Sequence, residues 1–303
     1  MSKLLGKPFH SANGACGVCP QRVGTVSASD DTRSWHDMAV VPPHDYQHIL
    51  EALRIVQRAK SRTAFERMTQ SLAHGYRFTP FLRLPYFSIS SCAQDLLHVL
   101  HEGVLKFFLK YLVSVIVSGW EERDVFEFYT YVREFIQLTK RTLPMSLRNL
   151  CPNDILERLD NCKASETMCF VNFLSVHVFA FIHVKVPSRF THADLYSWEM
   201  LVDCSVFWGA YTVRRCDLPR HDALYRAFID RMHVRFPLLS FPPNTHFASH
   251  LCGNIDMHGP HCATWCYAYE RALMAIKKMN FSASREGVCM CMHVTVHLHT
   301  AFT

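Results

Sequence analysis

Apolar residues recur at helical spacing along most of the chain. From Asp45 to about Gly75 the spacing of Ile49, Leu53, Val56, Phe65, Met68 and Leu72 is that of a helix with one buried face. The same pattern predicts helices over residues 93–118, 121–141, 152–164, 166–185, 192–213, 220–235 and 261–280. Pro144, Pro152, Pro187, Pro219, Pro237, Pro242 and Pro243 fall where these helices should start or stop, because proline lacks the amide proton that a helix interior uses. Period-two alternation is nearly absent, and there is no internal repeat. The pattern therefore predicts a mainly α fold.

The pattern also divides the chain. Residues 1–45, rich in Gly, Ser, Pro, Asp and His, read as irregular. Residues 46–92 hold a basic helix and the connector "TPFLRLPYF", which Pro80 and Pro85 keep extended. Residues 93–240 form a helical domain, and 241–286 a C-terminal segment that includes the last predicted helix. The tail 287–303, "GVCMCMHVTVHLHTAFT", reads either as a strand or as translated non-coding dinucleotide repeat. The second reading is favoured, since nothing follows for a strand to pair with.

Composition narrows the class. Of 303 residues, 49% are hydrophobic and 19% charged, which fits a globular chain rather than a disordered one. Two apolar runs, residues 104–120 and 168–184, are interrupted by Lys106 and Lys110 in one and by Asn172, His177 and His183 in the other. They are expected to be core helices, with no membrane involved. Thirteen cysteines and an N-terminus without an apolar signal core predict free thiols in the nucleus or cytoplasm. The formal charge of +6 suits an anionic partner without requiring one.

Four stretches could carry chemistry. In "HSANGACGVCP", Cys16 and Cys19 have knuckle spacing, with His10 and His36 available to complete a structural zinc site; two packed thiols are the plain alternative. In "QDLLHVLHEGVLKFFLKYL", Asp95 is placed to cap a helix. His98 and Glu102 lie four apart on one face, while Leu96, Leu100, Val104 and Phe107 turn toward the core. In the late segment, Pro242-Pro243-Asn244 is expected to be a rigid turn, followed by His246 and His250. His258-Gly259-Pro260-His261 makes a second turn before a helix carrying Glu270 and Arg271; the four histidines have no standard zinc spacing. Finally, Arg54, Arg58, Lys60, Arg62, Arg67, Arg77 and Arg83 face one acid, Glu66, between residues 54 and 83. This is either a solvated helix surface or a patch that tracks nucleic-acid phosphates.

Three of these stretches resemble, in order, segments of CACTA-type (En/Spm-like) transposases, with a fungal flavour. "GKPFHSANGACGVCP" is similar to that family's "Gly-Phe-x-Ser-His-Ser-Ala…Cys-x-x-Cys". "FLRLPYFSISSCAQDLLHVLHEGVLKFFL" resembles "Leu-Pro-Tyr-Phe-Asp…Asp-x-Met-His-x-x-x-x-Gly-x-x-Lys". "PPNTHFASHLCGNIDMHGPHCATWCYAYERALMAIKKMN" resembles "Pro-Asn-x-His…His…Gly-Pro…Trp-x-(Phe/Tyr)-x-(Phe/Tyr)-Glu-Arg-x-Asn".

The resemblance implies an RNase H-like catalytic domain, interrupted by a helical insertion, in which two aspartates and a glutamate hold two Mg²⁺ ions for DNA strand transfer. Glu270 matches the third acid, and Asp95 and His98 match the Asp-x-x-His signature. Residues 1–303 depart from the family where the two aspartates should stand: no Asp precedes Asp30. The family's final Asn is Met274 here, and its Phe-Asp is Phe87-Ser88. A single acid cannot balance two divalent ions. The expectation is thus a transposase-derived fragment, mostly the helical insertion, catalytically inactive and retaining contacts to DNA through Arg54, Arg58, Lys60, Arg62 and Arg67. The alternative is a helical, zinc-stabilised protein-interaction module unrelated to transposition.

Overall fold

The computed structural model describes residues 46–71, 93–117, 120–139, 163–185, 187–188, 190–264 and 266–267. Among these residues there are helices and no strand, so the described part is mainly α. The chain divides into two units, residues 1–264 and 265–303, and every described helix belongs to the first. The predicted helix over 152–164 lies outside the described residues up to Asn161–Cys162, as does the tail 287–303.

The helical pattern read from Asp45 to Gly75 breaks into two elements, α1 (Tyr46–Val56) and α2 (Arg62–Ser71). Residues 57–61 are Gln-Arg-Ala-Lys-Ser, with no large apolar side chain to anchor a continuing helix. Ser61 then starts α2 by accepting the Ala64 N–H on its hydroxyl (3.1 Å). The buried face of α1 is Ile49, Ala52, Leu53 and Val56.

A π-helical segment, Leu97–Val104, runs directly into α3 (Leu105–Val117). Its wider turn is explicit at the junction, where the Leu105 N–H bonds to the Leu100 carbonyl five residues back. Leu96, Leu100 and Val104 are fully buried, as their spacing predicts. Phe107 is not; Phe108 takes the inward position instead. A π turn uses more residues per revolution than an α turn, so the inward face arrives one residue late.

After α4 (Glu122–Thr139) come α5 (Ala164–Cys169), a second π segment (Phe170–Ser175) and α6 (Val176–Lys185), forming one continuous rod. By length and composition this rod could cross a membrane, the one such helix among the described residues. Phe170, Val171, Leu174, Val178, Phe179 and Ile182 are nevertheless buried within the protein. Helix α7 (His192–Trp208) begins on a reciprocal cap: the Asp194 N–H reaches the Thr191 hydroxyl (3.3 Å), and the Asp194 carboxylate accepts the Thr191 N–H (2.8 Å). It stops at Trp208 rather than 213, because Gly209 follows, and Tyr211 and Thr212 are exposed.

Helix α8 (Leu218–Arg235) packs along α7. The aromatic core joins these layers: Phe108 meets Phe228 edge-on at 4.9 Å, Trp208 meets Tyr225 at 5.2 Å, and Phe179 meets Trp198 at 4.9 Å. Such pairs add roughly 0.5–1.5 kcal/mol each beyond the area they bury. Pro242-Pro243-Asn244, expected as a rigid turn, instead opens a short helix, α9 (Pro243–Ala248). Pro243 occupies its first position, where a missing N–H costs nothing. Helix α10 (Leu251–His258) ends at Gly259, whose φ of 81° places it in the left-handed region that glycine tolerates. The second expected turn is thus present at Gly259-Pro260. The helix expected from residue 261 begins with a single 3₁₀ turn, His261–Ala263.

Candidate functional site at a helix head

Two stretches singled out separately in the sequence meet in space. The head of the π segment, residues 94–104, packs on α9, and α10 completes the contact. The Gln94 N–H donates to Asn254 Oδ1 (2.5 Å), and Asn244 Nδ2 donates to the His98 carbonyl (3.1 Å). Gly103 permits this approach: a β-carbon there would lie 2.8 Å from Asn244 Cβ, closer than atoms can sit.

Asp95 stands at the start of this helix. Its carboxylate accepts the Leu97 N–H (3.3 Å) and pairs with His98 Nδ1, while its carbonyl accepts the Val99 N–H (3.1 Å). The cap expected from the sequence is therefore made. His98 turns its other nitrogen toward Glu102, with Nε2 and Oε2 4.0 Å apart. The result is a row of carboxylate, imidazole and carboxylate that runs along an accessible face, with His98 exposed and Asp95 only partly so. Asp95 fixes which nitrogen of His98 points outward, so the row can bind a cation or relay a proton at Nε2.

Behind the row, the seam is rich in buried imidazole. His101, His246 and His261 are all almost completely buried. Burial pushes the pKa of His101 down to about 4, partly opposed by the Asp95 carboxylate and assisted by His261. Burial likewise lowers His261 to about 4, against a backbone hydrogen bond at Leu251 and the Asp95 charge. Both rings are neutral at physiological pH. Among the described residues, no group of three or more His, Cys, Asp or Glu side chains is arranged to hold a metal ion. The six described cysteines are free thiols, and burial raises Cys252 to about 11, so it is a poor nucleophile.

The other candidates separate from this site. Arg54, Arg58, Lys60, Arg62 and Arg67 are all exposed on α1, α2 and the link between them. Arg54, Arg58, Lys60 and Arg67 form no ion pair among the described residues. Cys16, Cys19, His10 and His36 lie outside the described residues, as do Glu270, Arg271, Arg77 and Arg83. The sequence reading missed Asn244 and Asn254 as the polar clasp of the seam. One signal could have pointed there: Gly103 sits inside an apolar helical run, where a glycine marks a close approach.

No family model, no curated protein and no solved structure matches this chain.

Proposed function

We propose that residues 46–264 are the helical body of a transposase-derived protein of the CACTA type, catalytically inactive, that contacts nucleic acid through α1 and α2. The observation that supports this reading is the seam. Two segments that resemble family motifs, about 95–104 and 243–261, are far apart in sequence yet pack face to face through Gly103, Asn244 and Asn254. Motifs matched by accident have no reason to assemble into one unit. In this reading the described helices are the insertion that interrupts an RNase H-like catalytic fold, and Asp95 and His98 are the remnant of the Asp-x-x-His signature. At the matched positions, residues 1–303 supply one of the three carboxylates, Glu270, so Mg²⁺-dependent strand transfer is not expected from this chain.

The nucleic-acid part rests on α1 and α2. Exposed cations such as these release condensed counterions when they meet phosphates, which drives binding with little sequence preference. The test is a fluorescence-anisotropy titration of a duplex across a salt series, with Mg²⁺ present. Contacts from about four side chains give a log–log salt slope of roughly −3 to −4. Replacing Arg58, Lys60 and Arg62 together by Ala should flatten that slope by up to about 3, and the recovered DNA should be uncut. Equal binding by the wild type and the triple variant, or no binding by either at low salt, overturns the nucleic-acid assignment.

A further inference from the structure

Helix α9 passes through a two-residue turn into α10, and this junction carries two histidines, His246 in the last turn of α9 and His250 just ahead of α10. Their rings stand edge to face, at 83° with centroids 4.9 Å apart. The two Nε2 atoms are 3.2 Å apart, so both side chains bring the same nitrogen to the contact.

That separation has a coordination meaning. A zinc-class ion holds imidazole nitrogen at 2.0–2.1 Å, and two such nitrogens 3.2 Å apart subtend about 100–106° at the ion. The tetrahedral angle is close to this. The backbone on both sides is pinned, so little conformational freedom remains to be lost on binding. The His246 carbonyl accepts the Ser249 N–H (3.0 Å) and hydroxyl (2.7 Å). The His250 carbonyl accepts the Asn254 N–H (2.9 Å) and side-chain amide (3.2 Å). His246 is buried and His250 half-buried, so one ligand is anchored in the core while the other borders solvent.

We propose that His246 and His250 form a two-imidazole chelate for a divalent transition-metal ion, with water or an incoming ligand in the remaining positions. Imidazole selects zinc, nickel or copper over the oxygen-seeking Mg²⁺ and Ca²⁺. Two protein ligands make the ion exchangeable rather than a permanent staple. Without metal, the same contact is an N–H···N hydrogen bond between neutral rings. Metal entry then needs the donor ring to move its proton from Nε2 to Nδ1 through solvent, so no net proton is released above the histidine range. The inference stands apart from the nucleic-acid reading and needs none of its residues.

The test uses the full chain and Ni²⁺ as the probe, followed by calorimetry and thermal melting. The wild type is expected to bind one more Ni²⁺ equivalent than His250→Ala, and to melt higher with Ni²⁺ but not with Mg²⁺. His250→Gln, which keeps a hydrogen-bonding side chain but ligates poorly, should lose the same equivalent by a factor of ten or more in affinity. His258→Ala, outside the pair, should retain it. Using Co²⁺ in place of Ni²⁺ distinguishes imidazole from thiolate by the sulfur charge-transfer absorption. The proposal is overturned if His250→Gln binds as many Ni²⁺ equivalents as the wild type with the same affinity. It is equally overturned if all bound Co²⁺ shows thiolate absorption that His250→Gln leaves unchanged.

Discussion

The seam between residues 94–104 and 243–261 and the surface of α1 and α2 use polar side chains in opposite directions. In the seam Asn244 and Asn254 are hydrogen-bonded between the two segments, and His101 and His261 are buried and held neutral by that burial. On α1 and α2 the polar side chains point outward, and four of the five cations named there have no carboxylate beside them among the described residues. A polar group taken from water must be matched inside the protein, whereas one left in water is available to a partner. The seam therefore bears on stability, and α1–α2 on association.

Acid should break the seam first and most strongly. His101 and His261 have folded pKa values of about 4, below the roughly 6.5 of an unfolded histidine. The unfolded chain thus binds protons in a window where the native rings do not. Stability is full above about pH 6.5, falls as the pH drops through the window, and levels off near 4. Each ring contributes a slope of up to about 1.4 kcal/mol per pH unit, with an upper limit of about 3 kcal/mol per ring across the window. Urea midpoints from pH 7 to 4 should show this loss, and His261→Gln should reduce its steepness. A variant whose midpoints track the wild type would remove His261 from the account.

Packing supplies a smaller break. Gly103→Ala improves helix propensity by up to about 1 kcal/mol but forces a β-carbon against Asn244, which costs about 1–3 kcal/mol where the backbone cannot yield. A net loss of about 1 kcal/mol is expected in chemical denaturation. Made on top of Asn244→Gly, which removes the opposing β-carbon as well as the amide, the same change should become neutral or stabilising, since the clash then has no partner. A stabilising Gly103→Ala in the wild-type background would mean that the two segments do not close on one another.

The two regions also differ in how far the sequence disclosed them. Helical spacing placed most elements, and the Asp95 cap followed from residue type alone, because local hydrogen bonding decides both. The sequence did not disclose that Phe108 would displace Phe107, since a π turn changes the period on which such reading depends. Nor did it show that Pro242-Pro243-Asn244 would open a helix, because proline serves a turn and a first helical position equally well. Asn244 and Asn254 could not be found from spacing, as their partners, His98 and Gln94, lie in a distant segment. The cations of α1 and α2 were visible at once. Whether each had a carboxylate beside it was not, because ion pairing depends on which helices become neighbours.

Pairing is what the smallest expected effect isolates. Helix α8 and the turn before it are also rich in arginine, but there most of the charges are answered by carboxylates. Arg214 meets Asp217 at 2.9 Å, Arg215 meets Asp256 at 3.2 Å, and Arg220 meets Asp203 at 3.7 Å. All three arginines are well exposed, as are those of α1 and α2. Replacing Arg214, Arg215 and Arg220 together by Ala removes three positive charges, the same number as the Arg58, Lys60 and Arg62 variant. A phosphate approaching this face would first have to displace a carboxylate, so these side chains are poor phosphate ligands. DNA affinity at low salt is expected to change by no more than about threefold through the altered net charge, with a slope change of less than about 1. If this variant instead weakens binding as much as the α1–α2 variant, association follows total charge alone, and the cations of α1 and α2 lose their special role.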